Sequence, residues 1–246
     1  MSFSIAFLPA AAAYQTRFES APSSNLLQDP LYGTIVARRN HQKLRHGLIT
    51  IDGQEAGIFQ LLEAGIFGNA LHGVILDRGP LWLDGYGAED HYAAFFDEFA
   101  RIFPRRFGRK RRIIPEWPDS TQARRAMQHS GYKRLGRPGY QTYILVLRPG
   151  AETLRKNLKQ KWRNTLNKAE KQNLEIFWDG SAACVAEILL LDQQSQREKG
   201  FHAASMPLMQ ELAGTQKKNG QILAGKALQD GNLCSAILFF CHGGSA

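Results

Sequence analysis

Cysteine is scarce in this 246-residue sequence. Only Cys184, Cys234 and Cys241 occur, and none forms a Cys-x-x-Cys pair. A disulfide framework is therefore excluded, and a zinc site lacks the paired ligands it needs. Cys234 and Cys241 lie in an apolar stretch and read as buried free thiols, which suits a reducing, cytoplasmic location. Long apolar runs are also missing: none reaches the roughly 18 residues of a membrane-crossing helix. The start, Met1 to Ala13, is apolar and ends in alanines, as a signal peptide does. It lacks a basic leading segment and contains Pro9, so Ser4 to Leu8 reads instead as a first core strand. The familiar catalytic signatures are absent too: no Gly-x-Ser-x-Gly elbow, no His-Glu-x-x-His, no phosphate-binding loop. Asp77, Asp84 and Glu116 are not paired by any spacing. No catalytic or cofactor-contacting residue is assigned, and no metal is expected.

Positive charge is what the chain has in excess. Thirty-one Lys and Arg face 22 Asp and Glu, a formal net charge of +9. Such a surplus either keeps a protein soluble or favours an anionic partner: nucleic acid, a pyrophosphate-bearing molecule or an anionic membrane surface. The hydrophobic content of 43 % is enough to build a packed core, so disorder is not expected.

Turn signals divide the chain. Asn25 to Gly33 reads as a loop entering a helix, with Pro30 in the first turn, where its missing N–H is tolerated. Gly47–Ile51 and Ala56–Leu62 flank Asp52-Gly53, a strong hairpin signal. Val74–Leu76 is a strand ending at Asp77-Arg78-Gly79-Pro80. From Glu89 to Phe103 the residues Tyr92, Phe95, Phe96 and Phe99 recur at helical spacing. Arg112–Pro115 follows as a strand. Ser120 to Ser130 reads as a helix capped by Asp119 or Ser120 and closed by Gly131. Tyr140 to Leu147 reads as a strand, and Glu152 to Gln172 as one long helix with Leu154, Leu158, Trp162, Leu166 and Ala169 along a stripe. Leu174–Trp178 is a strand, and Ser181 caps a helix burying Val185, Ile188 and Leu189. A second hairpin joins Gln221–Leu228 to Leu233–Phe240 through Gln229-Asp230-Gly231-Asn232. The order implies a mixed α/β layer fold.

Two basic segments invite a function. Along the long helix, Arg155, Lys156, Lys159, Lys161, Arg163, Lys168 and Lys171 face acids only at Glu152 and Glu170. It is either a solvated face or a phosphate-contacting one, with Arg163, next to Trp162, best placed to grip a phosphate pair. From Arg101 to Arg112 stand seven basic residues and no acid. They read as a source of long-range attraction for RNA or a membrane, without the aromatic interleaving of a base-stacking platform.

Several stretches together resemble the FemAB-like branch of the GNAT superfamily. They are Leu26-Leu27-Gln28 with Tyr32-Gly33, Arg78-Gly79-Pro80, Gly139-Tyr140-Gln141-Thr142, the segment Lys161 to Lys171, and Arg197-Glu198-Lys199-Gly200-Phe201. The resemblance implies an α/β fold of two tandem GNAT-like domains, 1–138 and an incomplete 139–246, with a substrate channel between them. It implies transfer of an acetyl, other acyl or aminoacyl group to an amine on an anionic acceptor, small or lipid-linked, such as a cell-wall peptidoglycan or envelope precursor. Acyl-CoA or aminoacyl-tRNA would serve as co-substrate, with no permanently bound cofactor, so tRNA is an implied partner. Arg163 matches the family arginine that meets the precursor's pyrophosphate. Lys168 would assist it, Tyr140 and Thr142 would line the channel mouth, and Arg78 would contact substrate. Two departures stand out. Where the family carries a phosphate-binding lysine the chain reads Thr34-Ile35-Val36-Ala37, which removes that contact or moves it to Arg38 or Arg39. The pyrophosphate loop expected after Phe240 is not reached, so the sequence reads as a fragment, a degraded copy or a shorter variant. The alternative is a non-catalytic basic protein that binds RNA or makes peripheral contact with the inner membrane surface.

Overall fold

A computed structural model describes residues 1–136, 141, 144–201, 205–215 and 222–243. The chain divides into two compact units. The first comprises Met1–Gly136 with Pro207–Lys217 and Phe240–Ala246; the second comprises Arg137–Met206 and Lys218–Phe239.

The first unit runs β1 (Phe3–Phe7), α1 (Ala11–Ser20), a 3-10 turn at Leu26–Gln28, α2 (Pro30–Arg39), β2 (Lys43–Ile51), β3 (Gln54–Ile66), β4 (Leu71–Gly79), β5 (Leu81–Trp82), α3 (Glu89–Ile102), β6 (Arg109–Pro115) and α4 (Thr121–His129). Its mixed sheet has the order β1-β2-β3-β4-β6, with β5 paired beside β3. Only β4 and β6 run parallel, because α3 carries the chain across between them. Asp52 and Gly53 adopt φ of 49° and 80°, the two left-handed residues of a tight hairpin turn. Asp29 caps α2 by accepting from the Tyr32 N–H, with Pro30 in the first turn. Ser120 caps α4 in the same way through the Ala123 N–H.

The sheet buries both faces by alternation along β3. Phe59 and Leu61 point to the side covered by α3, where Phe95, Phe96, Phe99 and Trp117 complete the larger core. Ile58 points to the opposite side, against Tyr14, Phe18 and Leu81. Helix α1 has no counterpart among the elements expected from the sequence. The alanine run that imitates a signal peptide continues into Tyr14 and Phe18, one helical turn apart and both buried, so it is a core helix.

The β3–β4 ladder ends at Leu62↔Ile75, and the next rung would pair Gln60 with Asp77. That rung is missing, since β3 turns to β5 at Ile58↔Leu81. The Gln28 side chain fills the gap. Its Oε1 accepts the Gln60 N–H at 2.8 Å, and its Nε2 donates to the Asp77 carbonyl at 2.7 Å and the Gln60 carbonyl at 3.2 Å. A buried backbone group without a partner is costly, and here one carboxamide replaces a peptide group between two strands. The Gln60 side chain returns the contact, donating to the Leu27 and Asp29 carbonyls at 2.8 and 2.9 Å. Tyr14 donates to the Gln28 carbonyl at 2.9 Å, tying in α1.

The second unit holds α5 (Ala151–Asn157), α6 (Gln160–Glu170), β7 (Glu175–Trp178), α7 (Ala182–Lys199), β8 (Ile222–Gln229) and β9 (Asn232–Phe240). Its sheet has the order β7-β8-β9. The second hairpin turns at Asp230 and Gly231, again with positive φ, 51° and 76°. Ser181 caps α7 through the Cys184 N–H, and Gly200, at φ 66°, closes it in a left-handed conformation. Helix α8 (Met206–Thr215), apart from its first residue, belongs to the first unit.

Three expectations are corrected. The strand expected over Tyr140–Leu147 is not formed at 144–147, where four apolar side chains lie exposed with no ladder partner among the described residues; Tyr140 falls outside them. The long helix is two helices, broken where Leu158 and Lys159 turn extended. Cys184 is the buried thiol, whereas Cys234 is exposed, because β9 is the end strand of its sheet. Among the described residues no helix is long and apolar enough to cross a membrane.

Replacing Gln28 by Leu keeps the volume but orphans the Gln60 N–H and the Asp77 carbonyl. At about 1–3 kcal/mol per buried unpaired group, a loss of roughly 2–6 kcal/mol is expected in urea unfolding. A loss under about 1 kcal/mol would show that the bridge is not needed. His46 stacks on Tyr14 at 4.2 Å, and burial holds its pKa below the ordinary 6.5. The unfolded chain therefore takes up this proton first. Stability is fully present above pH 6.5 and falls as pH drops through the folded value. His46→Phe should flatten that part of the profile, measured as unfolding midpoint against pH.

Candidate functional site

In the first unit the two motifs around the missing rung meet. Gly33 lets α2 approach β3 closely: a Cβ there would lie 2.5 Å from Gln60 Oε1. A Cβ on Gly79 would lie 2.9 Å from Leu76 Cδ1 and 3.1 Å from Gln28 Nε2. Asn25 Nδ2 donates to the Arg78 carbonyl at 2.9 Å while Asn25 Oδ1 accepts the Gln28 N–H. Leu26-Leu27-Gln28, Gly33 and Arg78-Gly79-Pro80 thus form one hydrogen-bonded junction, with a cis bond between Gly79 and Pro80.

At the junction the β4–β6 register slips by one residue between Asp77 and Gly79, and Arg78 takes φ 54°. The bulge turns the Arg78 guanidinium onto Glu116, which accepts from Nε and Nη2 at 2.6 Å each. This bidentate pair is partly buried, with the Arg78 side chain 15 % and the Glu116 side chain 32 % exposed. Beside it opens a cleft of about 240 Å³ lined by Pro80, Trp82, Asp84, Tyr86, Tyr92 and Glu116. Tyr92 donates to the Glu116 carbonyl at 2.7 Å, and burial pushes its pKa up to about 12. Asp77 accepts from Arg112, yet burial outweighs that pairing and raises its pKa. Gln60, Asn25 and Tyr92 were not visible as site residues in the sequence; only the register shows them. Ser24, whose hydroxyl donates to the His242 carbonyl at 2.9 Å, was also missed.

Arg38 and Arg39, the candidates for the displaced phosphate contact, both pair with Glu211 of α8. Three of the six arginines from 101 to 112 donate to backbone, while Arg101 pairs with Glu98 and Arg112 with Asp77. Arg106 donates to the Asn69, Ala70 and Phe107 carbonyls, Arg109 to Pro104, and Arg111 to Phe103 and Gly131.

In the second unit Arg163 bridges α5 and α6. Its Nη2 donates to the Lys156 carbonyl at 2.7 Å and the Leu158 carbonyl at 2.9 Å. In a continuous helix these carbonyls would accept the amides four residues on, so the side chain stabilises the break. Arg155 closes the pair of helices by donating to both Glu170 oxygens at 2.7 and 2.6 Å and to Asn167 at 2.5 Å. Trp162 is exposed and gives Arg163 no apolar shelter. Lys168 stands five residues further on an exposed stretch of α6, about 140° around the helix from Arg163. The two candidates do not share a face. Tyr140 and Thr142 lie outside the described residues. No cluster of three potential metal ligands occurs among the described residues.

The chain is similar to the crystal structure of FemX, with a TM-score of 0.65 and 16 % identity over 94 % of this chain and 58 % of FemX. The fold is FemX-like. The chain thus spans 58 % of FemX's length. A probable acetyltransferase (TM-score 0.33, 13 % identity) is matched over 61 % of this chain and all of its own. A ribosomal-protein-alanine N-acetyltransferase from Brucella melitensis biovar Abortus 2308 (TM-score 0.28, 10 % identity) is matched over 60 % and all of its own. No family model and no curated protein matches the chain.

Arg163→Ala removes the cap between α5 and α6. Amide exchange at Leu158 and at Arg163 to Leu166, the hydrogen-bonded amides on either side of the break, should accelerate by about tenfold or more, since a charged hydrogen bond contributes roughly 1.5–3 kcal/mol. Unchanged protection would show that the joint holds without the guanidinium.

Proposed function

We propose that this protein is an N-acyltransferase of the FemAB type, moving an acetyl, other acyl or aminoacyl group from acyl-CoA or aminoacyl-tRNA to an amine on an anionic acceptor. A cell-wall or envelope precursor fits the chain's positive charge as such an acceptor. The observation that carries this reading is the convergence of Gln28, Gly33 and Arg78-Gly79-Pro80 on one junction within a FemX-like fold. Fold likeness by itself would leave the chemistry open. The junction adds that Pro80 of the motif lines a small cleft, beside Glu116, the partner of Arg78, and with Trp82, Tyr86 and Tyr92.

At about 240 Å³ the cleft is smaller than the roughly 300–1,000 Å³ of drug-sized ligand sites. It suits a small group, an acyl or amino-acid side chain, rather than a whole donor. Transfer to an amine needs the carbonyl carbon and the nitrogen held at attack distance, and donors aimed at the developing oxyanion. Trp82, Tyr86 and Tyr92 would fix the small group by shape. In the second unit Arg163, through the donors not used at the α5–α6 break, would meet the anionic acceptor, with Tyr140 and Thr142 as further candidates, while Lys168, on another face of α6, would add only long-range attraction. Arg78 acts through Glu116 as a positioning residue for the cleft wall.

The test uses purified protein with labelled acetyl-CoA and with charged tRNA, against a panel of amine acceptors with and without a pyrophosphate. Label should pass to an amine, and Trp82→Ala should lower kcat/KM by about tenfold or more if the cleft orients the reacting group. Absence of transfer from both donors to every acceptor sinks the proposal.

A further inference from the structure

One end of the first unit's sheet carries a surface that the junction does not use. The pairings Lys43↔Glu63, Ile66↔Leu71 and His72↔Arg109 bring together the start of β2, the end of β3 and the starts of β4 and β6. Two loops project there: the β3–β4 turn at 67–70 and the α3–β6 loop at 104–108. They are bound into one tip. The Gly108 carbonyl accepts the His72 N–H at 2.8 Å, and Arg106 donates to the Ala70 carbonyl at 3.0 Å and to Asn69. Gly108 has φ 76°, and a Cβ there would lie 2.2 Å from the Ala70 oxygen, so only glycine lets the loops touch.

This rigid tip presents apolar side chains outward. Phe107 is 97 % exposed, Phe67 82 %, Ile66 57 % and Leu71 47 %. Scattered exposed apolar residues are ordinary, but two on the joined loops and two on the strand ends beside them form a patch of the kind that marks an interaction site. Around it stand the exposed cations Arg101, Arg105, Arg106 and Lys110, with Arg45 and Arg109 partly buried behind. The acids at this end are already paired, Glu98 with Arg101 and Glu63 with Arg45. Phe103 in the same basic run is buried, so the outward turn of Phe107 reflects the loop and not the composition.

We propose that this tip docks on an anionic lipid bilayer, with Phe67 and Phe107 entering the boundary between headgroups and acyl chains and the surrounding cations meeting lipid phosphates. Charge complementarity selects an anionic surface. The apolar part selects lipid over RNA. A single-stranded RNA platform stacks bases on aromatic faces along a groove, whereas here the rings sit at loop tips beside Ile66 and Leu71, which offer a base nothing but partition readily into acyl chains. The proposal does not depend on the acyltransferase reading.

The test is co-sedimentation of the full chain with vesicles of phosphatidylcholine alone or with about 30 % phosphatidylglycerol added, an anionic fraction large enough to give a negative surface potential. The intact protein should bind the anionic vesicles and not the neutral ones. Phe67→Ser with Phe107→Ser should lower partitioning by about tenfold or more, with an unchanged thermal unfolding curve because both rings are already exposed. Arg105→Gln with Lys110→Gln should lower it by several-fold and make the remaining binding less sensitive to salt. Equal binding of the phenylalanine variant and the intact protein to anionic vesicles overturns the proposal. So does a preference for single-stranded RNA over anionic vesicles at equal phosphate concentration.

Discussion

A single carboxamide holds the first unit together. Strands β3 and β4 part after Leu62↔Ile75, and Gln28 supplies the rung they lack. Few side chains can do this. The bridge needs a donor and an acceptor on one planar group, as in a peptide bond, at a reach that spans from a 3-10 turn into the sheet. Tyr14, Asn25 and Gln60 anchor the turn from three directions, so α1, α2 and both strands are positioned by the same few atoms. The bulge at Arg78, the Arg78–Glu116 pair and the small cleft follow from where β4 is allowed to go.

Cationic side chains in this molecule serve backbone oxygens more often than the charge alone suggests. Arg106, Arg109 and Arg111 cap the ends of loops and of α3, and Arg163 caps the break between α5 and α6. A guanidinium presents five donors in a rigid fork, which lets one residue satisfy two carbonyls while keeping its charge toward solvent. Local structure and long-range field therefore come from the same residues, and one role does not exclude the other.

Much of the fold was legible because it is written in local chemistry. Asp-Gly at 52–53 and 230–231, Pro30, Ser120 and Ser181 each act within a few residues, and each element they delimit forms where expected. What misled was context. Tyr14 and Phe18 follow an alanine run whose composition suits several roles, and only packing against Ile58 and Leu81 identifies α1. The stripe from Leu154 to Ala169 is continuous in sequence, yet the helix breaks at Leu158 and Lys159, where a guanidinium outside the periodic pattern caps the gap. The site was half legible: Gln28, Gly33 and Arg78 stood out in motifs, but Gln60 looks like any strand glutamine until the register places it beside Gly33.

The crowding around Gln60 has an evolutionary consequence. Residues 28, 33, 60 and 79 occupy one small volume, with the glycines leaving no space for a methyl group beside the two carboxamides. Substitutions at 33 and 60 are coupled: a side chain at 33 displaces the Gln60 carboxamide, which releases two carbonyls of the turn. Among descendants of such a sequence these four positions, more than a hundred ångström of extended chain apart at their extremes, are constrained to drift together or not at all.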